Sequence, residues 1–525
     1  MSHVIETVLG LMVAVAIVAV LARRLHVPYP ILLVIGGLGL ALIPGLPRVR
    51  LNPELVFLFF LPPLLYPAAL FTSWRDFRAD LGSISLLAVG LVLFTTVVIA
   101  WVAHVLTGMP WAAGFVLGAI VSPPDALAAT TIAHRLRLPR RIVTILEGES
   151  LVNDATALVA YRFGVAAVLS GGFSLASASG RFLVAGAGGV LFGLVIGWVA
   201  GKIQARLDDP PVQVTISLLT PFAAYLPAER LGLSAVLAVV TAGLYLGWRA
   251  PEIVKARTRL QAYPVWGMIV FLLNGLIFIL IGLQLPEVVG NLAERSKWEL
   301  AWHALAVSGA VIAVRMAWVF SATLLRRMFC TAPEDKHPDW RRAAIIGWTG
   351  MRGVVSLAAA MALPVHLPDG SPFPARDLIL FLTFSVIFAT LVLQGLSLPA
   401  IIRWSKLEDD GAFEREEREA RLKANEAALA RLNELDDSAD QGALERLRAE
   451  YEDRIRQLQV FGNGGDAPAG KDPKGGYESL LEQTLKVERR TILQLRNERV
   501  INDAVLRRIQ RELDLAEGRL KRDSD

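Results

Sequence analysis

The chain has 525 residues, 54% hydrophobic and 19% charged, with a formal net charge of +5, a mean hydropathy of +0.49 and a pI near 9.3. Soluble domains carry about a quarter charged residues, and here the charge crowds into 405–525, so the first four hundred residues are too apolar for a soluble globular domain. The single cysteine, Cys330, excludes an intrachain disulfide; the basic excess sits in loops, which reads as membrane topology rather than nucleic-acid binding.

In chain order, the opening "MSHVIETVLGLMVAVAIVAVLARRL" lacks a basic leader and a small-residue cleavage site, so it reads as a retained first span. Apolar runs between charged or Pro/Gly breaks predict an all-α polytopic membrane protein of about 13 transmembrane helices. They fall at 4–22, 28–46, 54–72, 82–107, 111–133, 142–170, 181–204, 211–228, 232–249, 263–285, 299–325, 342–364 and 377–403. An odd number puts the termini on opposite sides. One set of loops holds about 19 cations, among them Arg23, Arg24, Arg75, Arg78, Arg137, Arg140, Arg141, Lys255 and Lys336. The other holds about 7: Arg48, Arg50, Arg181, Arg230, Arg295, Lys297 and Arg376. The positive-inside rule therefore predicts a multi-pass protein of the cell inner (plasma) membrane, N-terminus outside and C-terminus cytoplasmic.

The expected domains are a transmembrane unit, 1–404, and a cytoplasmic helical tail, 405–525. Residues 413–460 and 477–520 are rich in Ala, Leu, Glu and Arg, with apolar residues at helical spacing, and the Gly/Pro-rich stretch near 461–476 reads as a flexible linker. A helical hairpin or coiled coil that regulates or dimerises fits this tail, and a solvated appendage fits it equally.

Ionisable groups inside spans cost about 2.5–3.5 kcal/mol on insertion scales and are functional by default. Span 5 carries Asp125 within "SPPDALAATT"; span 6 carries Glu149, Asn153 and Asp154 within "EGESLVNDATALVAYRF"; span 12 carries Arg352 within "GWTGMRGVVSLAAA". Glu149 with Asn153, and Ser150 with Asp154, are i,i+4 pairs, so the four form one polar strip facing one crevice. Pro123 and Pro124 break span 5 just before Asp125, and Gly350 and Gly353 loosen span 12 around Arg352. Broken helices at membrane depth line a cavity or pack inside protein. Two of them in comparable halves point to an inverted-repeat transporter site, with span 7 as connector.

A buried carboxylate neutralises itself with a proton or with a small cation, but not with both at once. Arg352 needs an anion, and Glu149 is the natural partner. Asp154 then remains, with Asn153, Ser150 and Asp125 as oxygen ligands suited to a hard ion such as sodium; Asp125 also reads as a stabiliser of the helix break. Proton and cation competing at one site, exposed alternately to two sides, make an antiporter. Arg162 and Arg315 read as inward-facing packing partners or snorkelling residues, and Glu147 as solvated.

At these residues the chain resembles the sodium–proton exchangers of the NhaP/NHE branch of the cation:proton antiporter superfamily. "GESLVNDATALV", "FFLPPLLYPAALF", "SPPDALAAT" and "GMRGVVSLA" resemble signatures of that branch, over roughly residues 5 to 404. The resemblance implies Na+ (or Li+) for H+ exchange, with K+/H+ exchange as the alternative, for pH and sodium homeostasis. It implies Asp154 as the ion- and proton-binding carboxylate, Ser150 and Asp125 as further ligands of the transported Na+, Asn153 holding the crossing region, and Glu149–Arg352 as a structural ion pair. It also implies a homodimer with a moving core of spans 4–6 and 11–13, and electroneutral one-for-one exchange from the Asn153–Asp154 pair. Two positions depart from the family pattern: Pro67 follows Tyr66 where relatives often have an acid, and Pro124-Asp125-Ala126 stands where Thr-Asp-Pro is common.

Two other classes share part of this pattern. An intramembrane aspartyl protease also uses two membrane aspartates, but wants Gly-x-Gly-Asp where this chain reads Leu151-Val152-Asn153-Asp154. A passive cation channel wants a pore-lining ring or carbonyl filter, and the sequence offers neither. No cofactor motif marks the membrane part, and the expectation is a transporter rather than an enzyme.

Overall fold

The computed structural model describes residues 2–25, 28–43, 56–136, 138–170, 175–254, 256–290, 292, 295–329 and 340–407, with single positions between 422 and 459. The chain divides into two compact units, Met1–Asp410 and Gly411–Asp525. In the second unit the described positions are helical, and Gln457 Nε2 donates to Asp453 Oδ2 at 2.9 Å. The expected linker near 461–476 and the helix at 477–520 lie outside the described residues, as do the loop cations Arg48, Arg50, Arg137, Lys255 and Lys336.

Regular structure among the described residues of the first unit is helical apart from one isolated bridge between His366 and Pro372. Helices α1 (Ser2–Leu25) and α2 (Tyr29–Ala41) come first. A π-helical turn, Val56–Phe60, leads into α3 (Leu61–Phe71), which carries Pro62 and Pro63 at its start and Pro67 inside it. The short α4 (Trp74–Ala79) starts at Ser73, whose hydroxyl accepts from the Asp76 amide. Next, α5 (Leu81–Ser85), a π-helical turn (Leu86–Leu91) and α6 (Val92–Thr107) make one rod, ended by Gly108 at φ +69°.

The first broken helix is α7 (Trp111–Val121) with α8 (Ala126–Arg135). Five long helices follow: α9 (Arg140–Ser170), α10 (Leu175–Ala205), α11 (Pro210–Arg230), α12 (Ala235–Ile253) and α13 (Ala256–Gly290). After α14 (Lys297–Phe329) comes the second broken helix, α15 (Trp340–Trp348) with α16 (Val354–Met361). The last rod is α17 (Arg376–Ala389), a π-helical turn (Thr390–Gln394) and α18 (Gly395–Ser405).

Among the described residues, seven stretches are each long and apolar enough to cross a membrane: Val8–Leu25, Leu81–Thr107, Arg140–Ser170, Gly180–Ala205, Gln261–Gly290, Lys297–Leu325 and Arg376–Ser405. The remaining apolar helices are shorter or interrupted. Large apolar side chains such as Leu183, Val184, Leu191 and Trp302 are exposed along α10 and α14, as a hydrocarbon solvent allows and water does not.

Small residues bring the helices together, as expected where burial gives no solvent-driven gain. A Cβ at Gly193 of α10 would stand 2.9 Å from the Cα of Ala238 on α12, so these two helices meet backbone to backbone. One apolar core joins α2, α13 and the ends of both broken helices; a second joins α6, α7, α14, α16 and α17; a third joins α3, α11 and α12. Tyr66 is buried against Trp266, ring centroids 5.4 Å apart, and Trp266 donates to the Ser217 hydroxyl at 3.1 Å.

Candidate functional site

The two broken helices meet at their breaks. Pro123 and Pro124 supply no backbone donors, so the chain leaves helical geometry after Val121. The Asp125 amide donates instead to the Met351 carbonyl of the other break, at 2.7 Å. Arg352 reaches back in the opposite direction: Nε donates to the Val121 carbonyl at 2.9 Å, Nη2 to that of Ser122 at 3.4 Å, and Nη1 to that of Gly350. Its backbone amide donates to Thr390 Oγ1 at 3.1 Å, which ties in the π-helical turn of the last rod.

These bonds match charge to helix polarity. The carbonyl ends of α7 and α15 carry partial negative charge and converge on the Arg352 guanidinium. The amide ends of α8 and α16 carry partial positive charge, and the Asp125 carboxylate lies against both. Gly353, which starts α16, makes room for it: a Cβ there would stand 2.7 Å from Asp125 Cγ and closer still to Oδ2.

Helix α9 runs past this crossing with Glu149, Asn153 and Asp154 buried and Ser150 half-buried. Asn153 Nδ2 donates to the Pro124 carbonyl at 2.8 Å, and its Oδ1 accepts from the Asp154 amide. The Asn153 carboxamide thus satisfies a carbonyl freed by the helix break. Tyr29, at the start of α2, packs against the apolar core that reaches both breaks. Tyr29 stands out only once α2 is folded against the crossing; its ring lies 5.9 Å from that of Phe271.

The expected Glu149–Arg352 pair is corrected by the structure. Glu149 pairs with Arg315 of α14: Nη2 donates to Oε2 at 2.8 Å and Nη1 donates to Oε1. Arg315 also donates to the Ile346 carbonyl at 3.0 Å. The physical reason is that Arg352 is already held by carbonyls, leaving Glu149 free to take the guanidinium that α14 delivers. Both partners are shielded, with side-chain exposures of 0% for Arg315 and 2% for Glu149. Arg315 is therefore no snorkelling residue.

Arg162 pairs with Glu229 at the far end of α11, and Glu147 is half-buried near the start of α9. His104 Nδ1 donates to the Met109 carbonyl at 2.8 Å, and the ring stacks on Trp111. Among the described residues no group of three His, Cys, Asp or Glu side chains converges. The donors at the crossing are two carboxylates with hydroxyl, carboxamide and backbone oxygens, a hard-oxygen set suited to alkali cations rather than transition metals.

Residues 11–404 match the family described as "Sodium/hydrogen exchanger, transmembrane". An uncharacterized Na+/H+ exchanger of Mycobacterium tuberculosis is 39% identical over 98% of this chain and 96% of its own length. The sodium, potassium, lithium and rubidium/H+ antiporter of Bacillus subtilis is 33% identical over 86% of this chain and 69% of its own. The sodium proton antiporter MjNhaP1 of Methanocaldococcus jannaschii shares the fold, with a TM-score of 0.60 and 19% identity over 77% of this chain and 99% of that one.

Proposed function

Since the chain belongs to the sodium/hydrogen exchanger family, we propose that it is a secondary active antiporter exchanging Na+ for H+ across the membrane, with Asp154 as the shared carrier group. The observation that carries this reading is the commitment of the neighbouring cations. Arg315 is taken by Glu149, and Arg352 by three backbone carbonyls. The buried Asp154 carboxylate, farther along the same helix as Glu149, is left to be neutralised by what it transports.

A proton on Asp154 and a cation at Asp154 exclude one another, so each transit in one direction returns loaded with the other species. Asp125 and Ser150 complete the oxygen shell of the cation, and Asn153 keeps α9 and the broken helix in register while the load changes. One carboxylate that trades one monovalent charge for another makes the exchange electroneutral. The thirteen-pass arrangement with the N-terminus outside, location in the cell inner membrane, a homodimer and a role in pH and sodium homeostasis complete the proposal. The name of the Bacillus relative supports a second reading, in which potassium shares the site.

The test is dissipation of a pH gradient in proteoliposomes by sodium, lithium or potassium, with Asp154→Asn as control. Sodium-driven exchange that the variant abolishes, and that imposed voltage does not alter, is the expected result. Exchange persisting in Asp154→Asn removes the central residue of the proposal.

A further inference from the structure

The last rod presents a polar face to the second broken helix. Thr383, Thr390, Gln394 and Ser397 recur along it at helical spacing, and the first three are fully buried. Two of the four hold the broken helix directly. Thr390 Oγ1 accepts from the Arg352 amide at 3.1 Å, and the Ser397 hydroxyl accepts from Trp348 Nε1 at 2.8 Å. Residues 349–353, the stretch of the break itself, are non-helical. Gln394 stands between Thr390 and Ser397, at the end of the π-helical turn Thr390–Gln394. The next residue, Gly395, shows how close that turn comes to the break: a Cβ there would stand 3.5 Å from Met351 Sδ and 2.9 Å from Ile31 Cδ1 of α2. Neither Oε1 nor Nε2 of Gln394 meets a hydrogen-bond partner among the described residues. A buried carboxamide with both ends unmet is costly, and an apolar side chain of the same shape does not carry that cost.

We propose that Gln394 is a positioning residue for the exchange reaction: its carboxamide takes up the main chain of residues 349–351 when the crossing shifts, and so stabilises the alternative arrangement of the crossing. Resting on the antiport reading of Asp154, this names a group that holds the second break while the load changes. The Asp125 amide is bonded to the Met351 carbonyl, so a change of load at the Asp125 carboxylate is passed to the stretch beside Gln394. A carboxamide both donates and accepts, so it meets a freed carbonyl or a freed N–H equally well. Thr390 and Ser397 fix the two ends of the break, and Gln394, between them, keeps its donor and acceptor to spare. Its place in a π-helical turn fits this role, because such turns inside longer helices are frequent at functional sites.

The experiment uses the full chain with Gln394→Met, close in shape and lacking the amide, and with Gln394→Leu as a second apolar replacement. Three quantities are read on each: thermal unfolding in micelles, sodium-driven proton flux in proteoliposomes, and fluorine NMR of the 5-fluorotryptophan-labelled chain. The Trp348 signal is assigned with Trp348→Phe. Both Gln394 variants are expected to be at least as stable as the parent, yet to exchange about fivefold to tenfold more slowly. In the parent the Trp348 signal is expected to divide between two positions, one of which loses about fivefold to tenfold in population in the variants. Thr383→Val removes another buried hydroxyl without a partner among the described residues, about two turns before Thr390. It is expected to leave both flux and the Trp348 signal unchanged. Stability that falls in step with flux marks a merely structural carboxamide satisfied by trapped water, and overturns the proposal. Unchanged flux, or a Trp348 signal that the variants do not move, overturns it as well. Absence of sodium-driven flux in the parent ends the antiport reading separately, because the Trp348 populations are read without turnover and still decide on Gln394.

Discussion

Removing one member of the Glu149–Arg315 pair leaves a buried charge with no counter-charge. With side-chain exposures of 2% and 0% and two hydrogen bonds between them, truncating either partner should cost about 3–5 kcal/mol. A double-mutant cycle separates that cost from loss of packing. Glu149→Gln with Arg315→Gln should show a coupling of about 2–3 kcal/mol, and the cycle of Glu149→Gln with Arg352→Gln less than about 1 kcal/mol. Replacing both partners by Glu149→Leu and Arg315→Met should recover most of the lost stability, since an apolar pair carries no desolvation penalty. The assay is reversible unfolding in mixed micelles, followed by the fluorescence of the chain's 12 tryptophans. Should the larger coupling fall on Glu149 and Arg352, the assignment of the ion pair made here is wrong.

At Gly353, substitution by Ala should abolish exchange, because its Cβ would displace the Asp125 carboxylate, whereas Gly309→Ala, with open space around it, should leave sodium-driven proton flux unchanged. Asn153→Ala loses the 2.8 Å bond to the Pro124 carbonyl and strands that carbonyl; unfolding should show a loss of about 1–3 kcal/mol, and exchange should fall with it. In the exposed loop before α17, the Ser371 hydroxyl and amide both donate to Asp369 and hold its carboxyl below the ordinary value of 3.8. That contribution is present above pH 3.8 and fades as pH falls through the lower folded value. Ser371→Ala should raise the titration of Asp369, read by isotope-edited infrared spectroscopy, and leave exchange at neutral pH intact.

The breaks in the helices were legible because prolines and glycines act locally. Pro123 and Pro124 forbid continuation of α7 whatever surrounds them, and the polar strip Glu149, Ser150, Asn153 and Asp154 follows from helical spacing alone. The identity of the ion pair was not legible, because it depends on which of two arginines folding brings to Glu149. Arg315 is 166 residues from its partner, and no spacing rule links α14 to α9. The acceptors of Arg352 were hidden for another reason: they are main-chain carbonyls, which every residue has and which become special only where a helix stops. Tyr29 escaped notice because an aromatic at the start of a span is ordinary in a membrane sequence.

Arg352 serves two helices with one side chain, and this limits how the crossing can evolve. A chain that lost it would need two cations at once, one for the end of α7 and one for the end of α15, placed within a few ångströms of each other and repelling. No single substitution supplies that, and a lysine, with its point charge and no planar fork, cannot span both ends in the same geometry. The two broken helices are thereby bound into a common fate: neither can drift in sequence, shift along its axis or reorient without carrying the other with it.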